Sequence, residues 1–240
     1  MLPGWLSPWV RDLADVTLTV LVVIVVLKVL FRADMLVPLV VVTSDSMVHT
    51  PGDNDWHSWM VDHGLTEEMI SSFPMKSGFN MGDMILVKNP RAELGDIIIY
   101  ERDLDHRHFS SNDPIIHRVV GVVHVEGYEI GAVEGTLDCM NDQSMMRYVD
   151  MVRACQDKNG ECPYTRYPKD GMFKLFITKG DNNEGSDQCS SRLKIAYPVN
   201  DAQVTGRALV RLPYVGWLKL ILNFVLSIPL LIFKILTFQV

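Results

Sequence analysis

The run VTLTVLVVIVVLKVLF, from Val16 to Phe31, constrains this chain more than any other feature. Threonines and Lys28 alone interrupt it, and Arg11, Asp12 and Arg32 flank it. That is about one bilayer crossing, provided Lys28 extends its ammonium to the surface. A cleavable leader carries a similar basic start and apolar run. Here no A-x-A-like site follows, and apolar character resumes at once from Met35 to Val42. The expectation is therefore a retained anchor over residues 1–34.

The other end, residues 214–240, reads YVGWLKLILNFVLSIPLLIFKILTFQV, with Trp217 and Lys219 at one border and Lys234 near the other. Interfacial anchors have this pattern, so a C-terminal transmembrane helix is expected. Asn223 and Pro229 leave open a second arrangement, an amphipathic helix lying in the membrane interface. Orientation is not fixed by charge, because Arg11 competes with Lys28 and Arg32 across the first segment.

Residues 35–213 form the expected water-exposed part, a mainly β domain. Met84–Lys88, Asp96–Glu101, Ile115–Val125, Met172–Lys179 and Val204–Leu212 are short, rich in Ile and Val, and bounded by Gly, Asn, Asp or Pro, which predicts strands. Helical signal concentrates in Trp56–Ser72, where Thr66, Glu67 and Glu68 resemble a helix start. Residues 126–168 are polar and read as a long loop or small inserted subdomain.

A net charge of −7, with carboxylates spread over the middle of the chain and no basic stripe, excludes nucleic acid as the expected partner. The four cysteines, Cys139, Cys155, Cys162 and Cys189, form no CxxC pair and so do not read as a zinc site. They are open to one or two disulfides in an oxidising compartment, with three full pairings available, or to remaining reduced.

A serine becomes a nucleophile when a base takes its proton and a third group orients that base. Three segments offer those parts. VVVTSDSM, residues 40–47, places Ser44 and Ser46 just beyond the first anchor. IIHRVVG, residues 115–121, puts His117 on the strand face shared by Ile115 and Val119. TKGDNNEGSD, residues 178–187, carries Asp181 and Asp187 through a turn. Each alone has an ordinary explanation: a turn serine, a half-buried histidine, an Asx-rich loop.

Together and in this order, with GDMILV at 82–87 and GDIIIY at 95–100, they resemble the type I signal peptidases, specifically the endoplasmic reticulum and archaeal branch. Bacterial members carry a lysine before the arginine of a KRVxG strand; this chain has His117 before Arg118. The resemblance implies a membrane-bound serine endopeptidase with Ser46 as nucleophile and His117 as general base. It implies Asp187 as the orienting acid and Asp181 as a supporting carboxylate. Turn chemistry by itself leaves the division between the two aspartates open. Ser44 is either a hydroxyl donor to the oxyanion or a plain strand-edge hydroxyl.

The chain departs from the family pattern SGSMxPT in having Asp45 for glycine, proline displaced to Pro51, and an insertion over residues 48–80. Trp56, Trp59, Met60, Met69, Ile70 and Phe73 give that insertion near-helical spacing. It would either dip into lipid or pack on the domain's own core. His49, His57 and His63 match no common metal-site spacing, nor do His106 and His108, so no metal is expected. Serine acyl chemistry also needs no cofactor.

What the resemblance implies is removal of signal peptides after small residues near the membrane surface. The catalytic domain would lie on the extracytoplasmic side of a cell membrane or ER-like membrane. Expected partners are preprotein signal peptides, the lipid bilayer, and secretion-translocon or accessory subunits. The alternatives are a noncatalytic membrane-tethered β domain in a secretion assembly, and a peptidase of the same fold that processes pilin-like or surface-layer precursors.

Overall fold

Helix α1, Pro8–Phe31, opens the computed structural model, which describes residues 8–32, 37–49, 55–109, 114–158, 161–189, 194–222 and 224. Its 24 residues rise 1.5 Å each, roughly 36 Å in all, enough for the ~30 Å hydrocarbon core of a bilayer. None of them is buried against the rest of the chain. The two threonines do not break the run, because Thr17 and Thr19 donate their hydroxyls to the Leu13 and Asp15 carbonyls at 2.7 Å. Among the described residues α1 is the one helix long and apolar enough to cross a membrane.

Among the described residues eight strands build one curled antiparallel sheet: β1 (Leu39–Val41), β2 (Met84–Lys88), β3 (Ile97–Tyr100), β4 (Ile115–Glu126), β5 (Glu129–Gly135), β6 (Met172–Lys179), β7 (Val199–Asn200) and β8 (Val204–Leu212). Their order is β1-β2-β8-β3-β4-β6-β7, with β5 added beside β4. Strand β2 alternates buried Ile85 and Val87 with half-buried neighbours, the period of a strand with one covered face. Strand β3 is buried throughout, as a central strand covered on both faces must be.

The long strand β4 organises the rest. On one edge its start pairs with β3, Ile98 opposite His117, and its end pairs with β5. On its other edge it pairs with β6, and that register shifts between Val119 and Gly121. Such a bulge reverses which face a strand presents. Ile115, Val119 and Val122 accordingly enter one core, while Val120, Val123 and Val125 enter the other.

Three helices cover the second of these cores: α2 (Asp55–Asp62), α3 (Glu67–Ser72) and α4 (Asp142–Asp157). Met60, Ile70 and Phe73 of the 48–80 insertion are buried there with Met145 and Val149 of α4. Between lipid and the domain's own core, these side chains take the core. Each is worth about 1.5–3 kcal/mol when fully buried. The N-cap of α3 is Thr66, which accepts from the Met69 amide at 3.3 Å.

The structure fills in two places that the sequence left open. The polar segment 126–168, read as a long loop or small inserted subdomain, contributes β5 to the sheet and a 16-residue helix to the core. An Asn141–Ser144 capping box starts α4, and Met145, Val149, Val152 and Cys155 form its buried stripe. The cysteines pair as Cys139–Cys189 and Cys155–Cys162. At the C-terminal end β8 passes through a turn into a helical segment over 216–222. Most of the crossing expected over 214–240 lies outside the described residues.

Candidate active site

Strand β1 delivers the chain to Ser46. Beyond its end, Val42 is still held at both backbone groups, donating to the Asp83 carbonyl and accepting from the Gly82 amide, each at 2.9 Å. The turn that follows is pinned from two sides. The Met47 carbonyl accepts from the Phe79 amide at 2.7 Å, and the buried Met47 side chain packs with Val42, Ile85 and Ile97. The Ser46 carbonyl accepts from the Asn182 amide at 2.8 Å, and the Asn182 side chain donates to the Asp45 carbonyl at 3.1 Å.

His117 and Arg118, adjacent on β4, separate the two aspartates between them. The His117 Nε2 lies 3.0 Å from the Ser46 hydroxyl oxygen, and its Nδ1 lies 2.7 and 2.8 Å from the two carboxylate oxygens of Asp187. An ionised carboxylate only accepts, so the contact with Asp187 requires a proton on Nδ1, and in a neutral imidazole Nε2 then presents its lone pair to Ser46. Arg118 instead places Nε 2.9 Å and Nη2 2.7 Å from the oxygens of Asp181, a bidentate pair. Its remaining donors reach the Pro74, Met75 and Gly95 carbonyls.

Asp187 is fully buried, and its charge is met on every side. Besides His117, it accepts from the Tyr100 hydroxyl at 2.8 Å and the Thr178 hydroxyl at 2.6 Å. Its backbone is fixed as well, the amide donating to the Thr178 carbonyl at 2.8 Å. Burial, followed by the neighbouring Asp187 charge, pushes the Tyr100 hydroxyl well above the usual tyrosine range, so it remains a donor. For Asp181 burial pushes upward too, but the Arg118 guanidinium and a hydrogen bond from His49 outweigh it and hold the carboxyl at about 2.

Ser44 sits with its hydroxyl 3.2 Å from that of Ser46, on the exposed side of the turn. Both serines line a groove of about 720 Å³ whose walls include Val40, Val42, Ile115, Ile116 and His117. Strand β1 lies at the end of the sheet path and forms part of this wall, with β2 on its other side. The turn behind Ser46 is tight: a Cβ added to Gly180 would sit 2.8 Å from the Ser46 carbonyl oxygen and 2.6 Å from the Asn183 side chain.

Sequence reasoning did not assign roles to Tyr100, Thr178 or Arg118, and considered His49 only as a metal ligand. His49 hydrogen-bonds Asp181 at 2.8 Å and stacks on Trp56, their ring centroids 4.8 Å apart. A hydroxyl on a fully buried strand needs a partner, and that was the available signal for Tyr100. Of the other histidines, His57 bonds Glu67, His63 bonds the Trp59 carbonyl and His106 bonds Asp103. The side chain of His108 lies outside the described residues.

No family model matches the chain. It is 24% identical over 157 residues to the signal peptidase complex catalytic subunit SEC11 of Eremothecium gossypii, a match covering 65% of this chain and 64% of that protein. The chain thus aligns with less than two thirds of the relative's length. The likeness supports a relationship to the type I signal peptidases.

Proposed function

We propose that this chain is a membrane-anchored serine endopeptidase that removes signal peptides from exported preproteins. One observation carries the reading: Ser46, His117 and Asp187 stand in a continuous hydrogen-bonded chain, at 3.0 Å and 2.7 Å, on the wall of an open groove. Such an order of groups serves acyl transfer. Likeness to a signal peptidase catalytic subunit supports the substrate class.

In this reading Ser46 attacks the scissile carbonyl while His117 Nε2 accepts its proton. Asp187 holds the imidazole in the required tautomer and stabilises the imidazolium that forms. Tyr100 and Thr178 position Asp187. Ser44 donates its hydroxyl to the oxyanion beside the backbone amide of Ser46. His117 then returns the proton to the leaving amine, and water releases the acyl group from Ser46. Asp181 acts structurally, through Arg118 and His49.

The substrate lies extended along β1, whose outer edge offers backbone groups to a peptide strand. Helix α1 and the segment over 214–240 anchor the catalytic domain, residues 35–213, at the extracytoplasmic surface of a cell or ER-like membrane. Accessory subunits are expected, since the relative is named as a subunit of a complex. Small side chains are expected just before the cut. The test is a full-length, detergent-solubilised chain offered a preprotein with alanine before the cleavage site, and the same preprotein with phenylalanine there. Cleavage of the first alone supports the reading; equal cleavage of both, or of neither, contradicts it.

A further inference from the structure

Lys179, the last residue of β6, is buried, yet among the described residues no carboxylate oxygen lies within ion-pair distance of its ammonium; it donates to the backbone carbonyls of Gly180 at 3.0 Å and Asp181 at 3.3 Å. The turn those carbonyls belong to is the one that holds the nucleophile, through the Asn182 amide on the Ser46 carbonyl and the Asp181 amide 3.4 Å from the Met47 sulfur. Trp59 of α2 covers the ammonium from the insertion, 4.9 Å from Nζ to the ring centroid. Trp59 in turn stacks on His63, whose Nε2 lies 3.6 Å from Asp138.

A side chain that merely filled this space would be apolar, because burying a cation costs several kcal/mol. What a lysine adds is a charge-assisted bond to two successive carbonyls, which fixes the shape of the turn. We infer that Lys179 is a positioning residue whose positive charge clamps the Gly180–Asn183 turn and thereby sets the place of Ser46. This rests on the reading of Ser46 as nucleophile.

The charged groups around the clamp give it a pH range. Burial lowers the ammonium to about 8, while Asp181 and Asp187 on its own loop and Asp138 beyond β5 favour the charge, and Arg118 across the strand pair opposes it. Above that pH the clamp loses its charge. Arginine at the same position would keep a charge throughout the working range.

The experiment is a pH–rate profile of preprotein cleavage by the full chain in detergent, from about pH 6 to about pH 10, for the parent, Lys179→Arg, Lys179→Met and Asp138→Asn. The parent is expected to lose activity as pH rises through about 8, and Lys179→Arg is expected to lack that alkaline limb. Lys179→Met should lose about tenfold or more in kcat with KM little changed. Asp138→Asn removes a carboxylate that favours the ammonium, so its limb should move to lower pH by about half a unit. A limb in Lys179→Arg like that of the parent, or an unmoved limb in Asp138→Asn, overturns the inference; if Lys179→Arg does not fold, Asp138→Asn decides. Hydrogen exchange at the Asn182 amide, measured in a Ser46→Ala background, reads the clamp without cleavage. Protection about tenfold or more lower in Lys179→Met supports it, and unchanged protection overturns it. Cleavage surviving in Ser46→Ala would instead refute the proposed function.

Discussion

The Asn182 amide donates to the Ser46 carbonyl at 2.8 Å, joining the turn that follows β6 to the turn that follows β1. Residues 136 positions apart in sequence thereby share one geometry, and the same turn continues to Asp187 behind His117. Movement of either turn changes the Ser46–His117 distance.

Gly180→Ala tests that coupling. Its added methyl would meet the Ser46 carbonyl at 2.8 Å, closer than van der Waals contact allows, so the Ser46 turn must shift. Misplacement on this scale costs about 10²-fold in rate. The expected outcome is a loss of that order in kcat with the unfolding midpoint little changed, measured by cleavage kinetics beside thermal melting.

The two aspartates separate in a paired substitution. Asp187→Asn removes the negative charge behind His117 while leaving an oxygen for Tyr100 and Thr178, so activity should fall by about 10³-fold or more with the fold retained. Asp181→Asn leaves the buried Arg118 without its counter-charge, and breaking such a pair costs about 3–5 kcal/mol. Its main effect should be a lower denaturant midpoint. Greater residual activity in Asp187→Asn than in Asp181→Asn, at a temperature where both are folded, would reverse the roles.

Acid stability follows from the same carboxylate. Its folded value of about 2 lies below the ordinary 3.8, so the folded state binds the proton more weakly than the unfolded chain. The contribution is therefore present above about pH 4 and disappears as pH falls through about 2, on the order of 2 kcal/mol in all. Urea unfolding of the parent at about pH 5, 3 and 2 should show this loss, and Asp181→Asn should show a smaller pH dependence over the same interval.

The strands and the segments of the site were legible in sequence, but not the contacts between them. Alternation in Met84–Lys88 and the Ile and Val runs elsewhere announce strands because a half-buried or buried strand needs them. Helix α4 escaped notice because Asp, Arg and Gln on its exposed face dominate the local composition, while its four buried positions carry the 3.6-residue period. The motif resemblance named Ser46, His117 and both aspartates. Turn chemistry could not divide the aspartates, since Asp181 and Asp187 flank one turn and their separation depends on the opposite directions of His117 and Arg118 on β4. Tyr100 meets Asp187 across 87 residues, a contact set by sheet order.

The disulfides should differ in their effect on activity. Cys139–Cys189 closes a separation of 50 residues and ends two residues past Asp187, whereas Cys155–Cys162 closes 7 at the end of α4. Chain entropy alone assigns roughly 4 kcal/mol to the first and roughly 2.5 kcal/mol to the second. Replacing the first pair by serine should lower both the unfolding midpoint and kcat. Replacing the second should lower the midpoint less and leave kcat near that of the parent, as read from melting curves and cleavage assays at a common temperature.

The central claim is that Ser46 is the nucleophile, and kcat/KM for cleavage of a solubilised preprotein by Ser46→Ala, relative to the parent, tests it most directly. A fall of about 10³-fold or more, with the variant folded and still binding the preprotein, is the expected result. Cleavage by Ser46→Ala within about tenfold of the parent, at the same bond, would contradict it.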